Sequence, residues 1–407
     1  MDSTAEPSAE GSVLPALGVH PRVFLPSTTP PFNLYVRTAN DGSFHLFHKA
    51  GRPVYANTWD QLERGGFDML YVRGDDRDRC FDYVEGNLSG VITEGGVPDP
   101  SAARWTYRLA VRSMDNVLGQ PGAASAYRRL EGVLAPVVQA LRHRPGIEWD
   151  MLDSAPLHYR TPCHCVNVCV LLTAFALHVL EIKDDVTLAQ IALGGVLHDL
   201  GKVMVPESIL SKPDELTRGE FAKITQHPRF GADMARPFLP DSSLTEIIIF
   251  QHHEDTCGSG YPEGRSGDDI HLFAKVARVV DVFDAITTHR PYGTALDEYR
   301  ALNAMVSGMR RQFDMDVLRR FIRYVGAQSA DGVPIAMPVD RSPDRQPADS
   351  VIPVAEVAED EEEESLVELH ALEELQPAAG EEEVPLALQP LEDGEPQADV
   401  QPPPEPD

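Results

Sequence analysis

The sequence predicts a mainly α-helical protein in three parts: a small N-terminal α+β domain, an all-α helical bundle and a disordered acidic tail. Short alternating apolar runs before residue 95 are typical of strands, and helical periodicity then continues almost to residue 325. From Arg341 to the last residue the chain carries 21 acidic residues against two arginines. Such a segment has too little apolar surface to fold. The expected parts are a flexible N-terminus at 1–30, an α+β domain at 31–95, a helical linker at 96–150, the main helical domain at 151–330 and a disordered Pro-rich tail at 331–407.

The small α+β domain is predicted from three apolar runs. FNLYVRT and FHLFHKA flank a short Asp-Gly turn and predict a β-hairpin, and DMLYVRG predicts a third strand. The stretch TWDQLERGG, between the second and third runs, predicts a short helix. This part of the sequence has no phosphate-binding loop and no cluster of catalytic side chains. A regulatory, sensory or docking role is therefore expected, and His45 and His48 are expected to be surface residues.

Helical periodicity begins at Ser101. SAARWTYRLAVRSMDNVLG and AASAYRRLEGVLAPVVQALRH predict the two helices of the linker, the second bent at Pro136. In the main helical domain, the predicted helices cover residues 159–180, 187–198, 217–236, 243–253, 270–289 and 296–308.

Composition and charge exclude several classes of protein. The formal net charge of −29 argues against DNA as a partner, because a nucleic-acid-binding protein is expected to carry a basic patch. No run reaches the roughly 18 consecutive apolar residues of a membrane span, and the first residues, MDSTAEPSAEGS, lack the features of a signal peptide. Five cysteines without a framework spacing suit a reducing compartment. A cytoplasmic location is therefore expected.

The stretch LGGVLHDLGK places two polar side chains, His198 and Asp199, at the end of an apolar helix. Alone it also fits an ordinary helix C-terminus with Gly201 as the cap. However, the same helical region holds five histidines and two aspartates at helix ends or within apolar helices, more than a core of this size should bury unpaired. These seven residues are His164, His198, Asp199, His227, His252, His253 and Asp281.

Imidazole and carboxylate ligands together suit iron, manganese or zinc, and no cysteine pair has the spacing of a structural zinc site. Seven ligands exceed the needs of one ion, so two ions bridged by Asp199 are the economical arrangement. Such a pair is well suited to hydrolysis of phosphate esters. One ion would take His164, His198, Asp199 and Asp281, and the other Asp199, His227, His252 and His253.

Four separated motifs carry a family resemblance. HDLGK, HPRFG, HHE followed by GSGYP, and DVFDAIT followed by RPY occur in that order. This series resembles the HD-GYP family, a subgroup of the HD phosphohydrolases, over about residues 157–325, including FDMDVLRRFI near the end. The resemblance implies an HD-type all-α bundle, bacterial origin, two divalent ions (Fe or Mn), and hydrolysis of cyclic di-GMP to pGpG or GMP. It also implies contact with GGDEF-domain proteins through the loop Gly260-Tyr261-Pro262.

The resemblance also assigns residues around the ligands. The family's substrate-contacting cations fall on Lys202 and Arg290, and both could meet phosphate oxygens. Together with Asp199, Lys202 is expected to be catalytic, and Tyr261 and Pro262 are expected to contact substrate. Two acidic residues, Asp284 and Glu254, are expected to support ligands from behind.

The sequence departs from the family at Cys257, where Asp or Asn is usual, and at Gly293, where a basic residue is usual. A third-metal ligand is replaced by Arg160, which favours two ions. These changes leave an alternative open: a cyclic di-GMP sensor or a GGDEF-docking scaffold without turnover. Another nucleotide substrate and a homodimer also stay open.

Overall fold

A computed structural model describes residues 16–38, 43–55, 62, 64, 67, 69–93, 100–154, 161–212, 214–241, 243–288 and 295–326. The fold is mainly α-helical with a small N-terminal α+β part, as predicted. The acidic tail, the first 15 residues and most of the short helix predicted at TWDQLERGG lie outside the described residues.

The N-terminal part is a four-stranded antiparallel sheet in the order β1-β4-β2-β3. The predicted hairpin is confirmed, because β2 (Leu34–Arg37) pairs with β3 (Phe44–His48). The third predicted strand is β4 (Leu70–Arg73), which lies between β2 and β1 (Ala16–Val19). A helix that the sequence analysis did not identify, α1 (Arg77–Thr93), follows β4.

The prediction of a flexible N-terminus at 1–30 is wrong for its second half. Strand β1 pairs with β4 over four residues, and its last residue, Val19, is fully buried, as are Val23 and Phe24 after it. Proline and threonine make this stretch look like a loop, but its apolar side chains supply part of the core under the sheet. The ordering entropy of the stretch is offset by that burial.

The expected linker is an integral layer of the helical core. Its helices are α2 (Pro100–Gly119), α3 (Ala124–His143) and the short α4 (Ile147–Leu152). Pro136 lies within α3, which continues on both sides of it. Helices α2 and α3 pack against α5 (Thr161–His178), and α3 also packs against α6 (Asp185–Leu197). Burial of one face of each helix thus extends the core of the main domain.

The centre of the bundle is the antiparallel pair α5 and α6. Helix α5 is buried around its circumference from Pro162 to Ala176, and α6 from Ile191 to Leu197, as expected for segments covered on all sides. Gly195 lets them approach, since a Cβ there would lie 2.9 Å from the Cα of Cys169. Among the described residues, α5 alone is long and apolar enough to cross a membrane, and 83% of that window is buried in the protein. Such burial is typical of a core helix.

The remaining helices surround α5 and α6. They are α7 (Glu207–Leu210), α8 (Arg218–Ile224), α9 (His227–Ala235), α10 (Leu244–Gln251), α11 (Leu272–Thr287), α12 (Glu298–Ser307) and α13 (Met315–Gly326). The prediction of a single helix over 217–236 is wrong, because a turn at Thr225 and Gln226 separates two helices. Pro228 has no N–H to continue the hydrogen bonds of α8, but in the first turn of a new helix that N–H is not needed, so α9 starts at His227.

We expect Leu109→Ala to lower the free energy of unfolding by roughly 2–5 kcal/mol, because it leaves a cavity where α2 enters the common core. Urea unfolding of the full chain, followed by far-UV circular dichroism, measures the change. The matched control is Leu118→Ala, at the half-buried end of the same helix, which should cost distinctly less. Equal small effects would show that α2 is a peripheral linker after all.

Candidate metal centre

Three of the clustered histidines stand at helix ends. His198 follows the last residue of α6, His252 follows the last residue of α10, and His227 lies three residues beyond the end of α8. Carbonyl groups in a helix's last turn lack an intrahelical partner, and here each accepts a hydrogen bond from a histidine Nδ1. The Nδ1–O distances are 2.8 Å for His198 to Gly195, 2.9 Å for His227 to Ile224 and 2.8 Å for His252 to Ile249.

These bonds fix the tautomer, since a carbonyl oxygen can only accept. In the neutral ring the proton is on Nδ1 and the lone pair is on Nε2. The Nε2 atoms of His227 and His252 nevertheless lie 3.2 Å apart, and those of His198 and His164 also lie 3.2 Å apart. Lone pairs that converge at this distance repel unless a cation or a proton lies between them.

Asp199 lies between the two histidine pairs. Its Oδ2 is 3.4 Å from His198 Nε2 and 3.6 Å from His164 Nε2, whereas its Oδ1 is 3.4 Å from His227 Nε2 and 3.9 Å from His252 Nε2. Each carboxylate oxygen therefore faces a different pair. This is the arrangement that a bridging carboxylate needs.

Asp281, on the buried face of α11, completes the first group. Its Oδ1 lies 2.9 Å from His164 Nε2 and 3.7 Å from His198 Nε2, and its Oδ2 lies 4.0 Å from His253 Nδ1. All seven residues singled out in the sequence thus meet at one centre, and each is at most 4% exposed.

The donor atoms fit metal ions. Asp199, His227, His252 and His253 present atoms within 4.8 Å of one another, and so do His164, His198 and Asp199. Asp199 Oδ1 is buried and accepts no hydrogen bond from any described residue, which is costly for a carboxylate oxygen. Neutral imidazole and carboxylate are the ligands of iron, manganese or zinc, so the cluster can hold a metal centre.

His164 is held from behind by a buried hydrogen-bond chain. Its Nδ1 donates to Asp284 Oδ2 (2.7 Å), and the other oxygen of Asp284 accepts from Asn167 Nδ2 (2.8 Å). The amide oxygen of Asn167 in turn accepts from the Tyr107 hydroxyl (2.7 Å). The expected supporting contact of Asp284 is present, whereas Asn167 and Tyr107 were not identified from the sequence. Carboxylate–histidine pairs of this kind orient metal ligands.

The electrostatics of the cluster follow from burial and proximity. Burial would raise the pKa of Asp199, but the neighbouring His198 and Lys202 hold it well below its usual range. For His164, burial lowers the pKa, yet its bonds to Asp281 and Asp284 outweigh burial and raise it to about 9. Burial and the neighbouring imidazoles lower the pKa of His252 to about 3. The centre therefore favours ionised carboxylates and, at His252, a neutral ring.

The loop Gly260-Tyr261-Pro262 lies over the second group. The Tyr261 ring stacks on His253 with centroids 4.6 Å apart, and its backbone N–H donates to His253 O at 3.0 Å. Gly260 is required for this approach, because a Cβ would overlap the backbone of His253. Glu254 accepts from the backbone N–H groups of residues 263 and 265, at 2.8 Å each. It therefore anchors the loop rather than a ligand.

A buried arginine supports the same loop and was not identified from the sequence. Arg278 is 1% exposed; its Nε donates to Asp255 Oδ1 at 3.1 Å, and its Nη1 lies 3.3 Å from His253 Nδ1. Its position in the sequence could have indicated this role, because it is a charged residue on the apolar face of α11, three residues before Asp281. Asp255 and Glu254 supply the carboxylates that hold the loop, whereas Cys257 is exposed.

The structure describes one of the two cations predicted to contact the substrate. Lys202 is buried, and its Nζ lies 3.0 Å from Asp199 Oδ2, so its charge is inside the cluster. Arg290 and Gly293 lie outside the described residues. The expected contribution of Lys202 to the centre is thus compatible with its position, and that of Arg290 stays a prediction.

The turn after Asp199 and helix α9, which both carry ligands, cross in close contact at Gly201. A Cβ on Gly201 would overlap the carbonyl oxygen of His227 and the backbone of Gly231. The turn after His198 and Asp199 therefore rests directly on α9. Glycine at this position sets the distance between the first and second ligand groups.

Comparisons with known proteins agree with this centre. A family profile described as an HD domain matches residues 160–317, which include all seven clustered residues. A solved structure described as an HDG"Y"P protein of Bdellovibrio bacteriovorus has a related fold, with a TM-score of 0.52 and 16% identity over 75% of this chain and 98% of that one. Residues 160–317 thus match an HD domain, and the four motifs in this segment resemble those of HD-GYP proteins.

Curated relatives align with this HD domain. A cyclic di-GMP phosphodiesterase of Pseudomonas aeruginosa is 39% identical over 166 residues, 41% of this chain and 39% of the relative. The cyclic di-GMP phosphodiesterase response regulator RpfG of Xanthomonas campestris is 38% identical over 30% of this chain and 33% of its own length. A 3'3'-cGAMP-specific phosphodiesterase of Vibrio cholerae is 33% identical over 32% of this chain and 28% of its own. The chain thus spans less than half of each of these relatives.

We expect Gly201→Ala to lower the free energy of unfolding by roughly 1–3 kcal/mol, because the added methyl group must push α9 away. Metal content should fall with it, since the distance between the ligand groups changes. The matched control is Gly219→Ala, where a Cβ meets nothing within 4 Å; it should be neutral or stabilising by up to ~1 kcal/mol. Urea unfolding and metal analysis of both variants test the crossing, and similar behaviour of the two would contradict it.

Proposed function

We propose that the chain is a metal-dependent phosphodiesterase that hydrolyses cyclic di-GMP to pGpG, GMP or both. The main support is the convergence of five imidazoles and two carboxylates on one buried centre around Asp199. The names of the relatives that align with the domain support the cyclic dinucleotide as substrate, with cyclic di-GMP favoured by the two relatives of higher identity described above.

Two divalent ions, Fe or Mn, are proposed as the cofactors. His164, His198 and Asp281 would hold one, His227, His252 and His253 the other, and Asp199 both. Bound there, the ions would supply Lewis-acid activation of water and of the phosphoryl oxygens. The bonds to main-chain carbonyls keep the Nε2 atoms of His198, His227 and His252 directed at the centre, so these three rings need no rearrangement to act as ligands.

Lys202 and Asp199 are proposed as the residues nearest the reaction. Lys202 brings a buried positive charge to the centre, 3.0 Å from Asp199 Oδ2, and a phosphate oxygen placed beside it would share that charge. Arg290 is proposed as a second cation for the phosphate. Tyr261 and Pro262 are proposed to contact the substrate from the loop, because the Tyr261 ring already covers His253.

The enzyme would act in bacterial second-messenger signalling in the cytoplasm, and the N-terminal α+β part would regulate it. The Gly260-Tyr261-Pro262 loop is the proposed contact for GGDEF-domain proteins, and a homodimer is compatible with the chain.

We expect Asp199→Asn to abolish stoichiometric metal binding, because this one side chain serves both ligand groups. Turnover of cyclic di-GMP should fall by more than ~100-fold, the upper end of the loss caused by removing a residue that only supports a ligand. The control is Asp233→Asn, which removes an exposed carboxylate of α9 that pairs with Arg236. It should leave metal content and turnover unchanged. Metal analysis and anaerobic, metal-replete assays with cyclic di-GMP and 3'3'-cGAMP measure the effect.

The same assay separates the enzyme from a sensor or scaffold. Wild-type protein that holds metal and binds cyclic di-GMP without forming product would refute the phosphodiesterase. Faster turnover of 3'3'-cGAMP than of cyclic di-GMP would refute the substrate assignment while leaving the reaction class intact.

A further inference from the structure

A cleft of about 1,030 Å³ lies between the N-terminal sheet and the helical core. Its walls come from β1, the end of α1 nearest β4, and one face of α2. Phe81, Val111 and Leu17 give it apolar surface. Its charged lining residues are Arg77, Arg108, Arg112, Asp78 and Asp115, which leaves an excess of one positive charge. None of these residues belongs to the metal centre, so the cleft needs its own explanation.

Two of the cleft's arginines have no carboxylate partner in the part of the chain that the structure describes. Among the described residues, neither Arg77 nor Arg108 forms an ion pair; Arg77 lies over the Phe81 ring and Arg108 over the Trp105 ring. Arg112, by contrast, pairs with Asp78 and Asp82. Burial and the nearby charges of Arg104 and Arg77 lower the pKa of Arg108. An anion placed here would relieve that repulsion.

One residue of the cleft is linked to the metal centre by buried hydrogen bonds. Tyr107 lines the cleft and is also the first member of the hydrogen-bond chain through Asn167 and Asp284 to His164. Cys163, the residue before His164, lines the cleft as well. A ligand in the cleft would therefore contact the residue that positions a metal ligand through two buried side chains.

We propose that this cleft binds a small organic anion with an apolar or aromatic body, and that the Tyr107–Asn167–Asp284 chain couples its occupancy to the metal centre. Arg108 and Arg77 would meet the negative group, and Phe81 and Val111 the apolar body. The coupling rests on the proposed metal site, whereas the binding does not. Coupling of two sites is reciprocal, so metal must change the affinity of the anion by the same factor as the anion changes that of the metal.

Binding is tested with a matched pair of dyes on the full chain. 1-Anilinonaphthalene-8-sulfonate carries an anionic group, and N-phenyl-1-naphthylamine is its neutral counterpart. We expect Arg108→Gln to weaken the anionic dye about tenfold, a ratio typical of one charged hydrogen bond, and to leave the neutral dye unchanged. Arg128→Gln, an exposed arginine on α3, is the control and should change neither.

Two results would overturn the binding claim. Equal binding of the anionic dye by the wild type and Arg108→Gln would show that the cleft does not recognise the charge. Equal weakening of both dyes would show a loss of the fold or of the apolar wall instead.

Coupling is tested by titrating the anionic dye with and without Co²⁺. In the wild type we expect Co²⁺ to change the dye affinity at least about fivefold, and in Tyr107→Phe, which loses only the hydroxyl, to change it hardly at all. An unchanged Co²⁺ effect in Tyr107→Phe would refute the chain as the route. If Co²⁺ does not bind the wild type, the proposed metal site fails, while the dye comparison still decides the cleft.

Discussion

Hydrogen bonds from histidine Nδ1 atoms to main-chain carbonyls determine what the centre can do. In His198, His227 and His252 the accepting carbonyl lies three residues earlier, at the end of a helix where it lacks an intrahelical partner. The bond satisfies the carbonyl, fixes the ring and turns the Nε2 lone pair inward. Two packing constraints bring these rings together: the close pairing of α5 with α6 and the crossing at Gly201. Without either, the same residues would be separate helix ends.

The cluster is expensive to bury without a cation. Carboxylates and imidazole lone pairs that face one another in a dry core repel, and each loses its hydration. Lys202 offsets part of this charge at Asp199, and Asp284 orients His164. Divalent ions would supply the rest of the compensation, and their binding energy would then add to the stability of the folded chain. The surrounding apolar core lowers the local dielectric constant and would strengthen the attraction between the carboxylates and such ions.

Much of the centre could be predicted, because its signals are local. Polar residues at the ends of apolar helices, as at His198, Asp199 and His252, are visible in sequence, and so is Asp281 within an apolar helix. Contacts between distant segments were missed: β1 pairing with β4, α2 and α3 packing into the core, and Tyr107 reaching Asn167, 60 residues away. Tertiary packing determines which distant segments come into contact, and the local sequence around each residue does not show it.

We propose that seven side chains form two ligand groups that share Asp199. The most direct test is the metal content of the anaerobically purified, metal-replete full chain, measured by inductively coupled plasma mass spectrometry with amino-acid analysis as the reference. We expect about two ions per chain, falling to about one in His227→Ala, which removes a ligand from the second group only. A wild-type content of one ion, unchanged in His227→Ala, would contradict it.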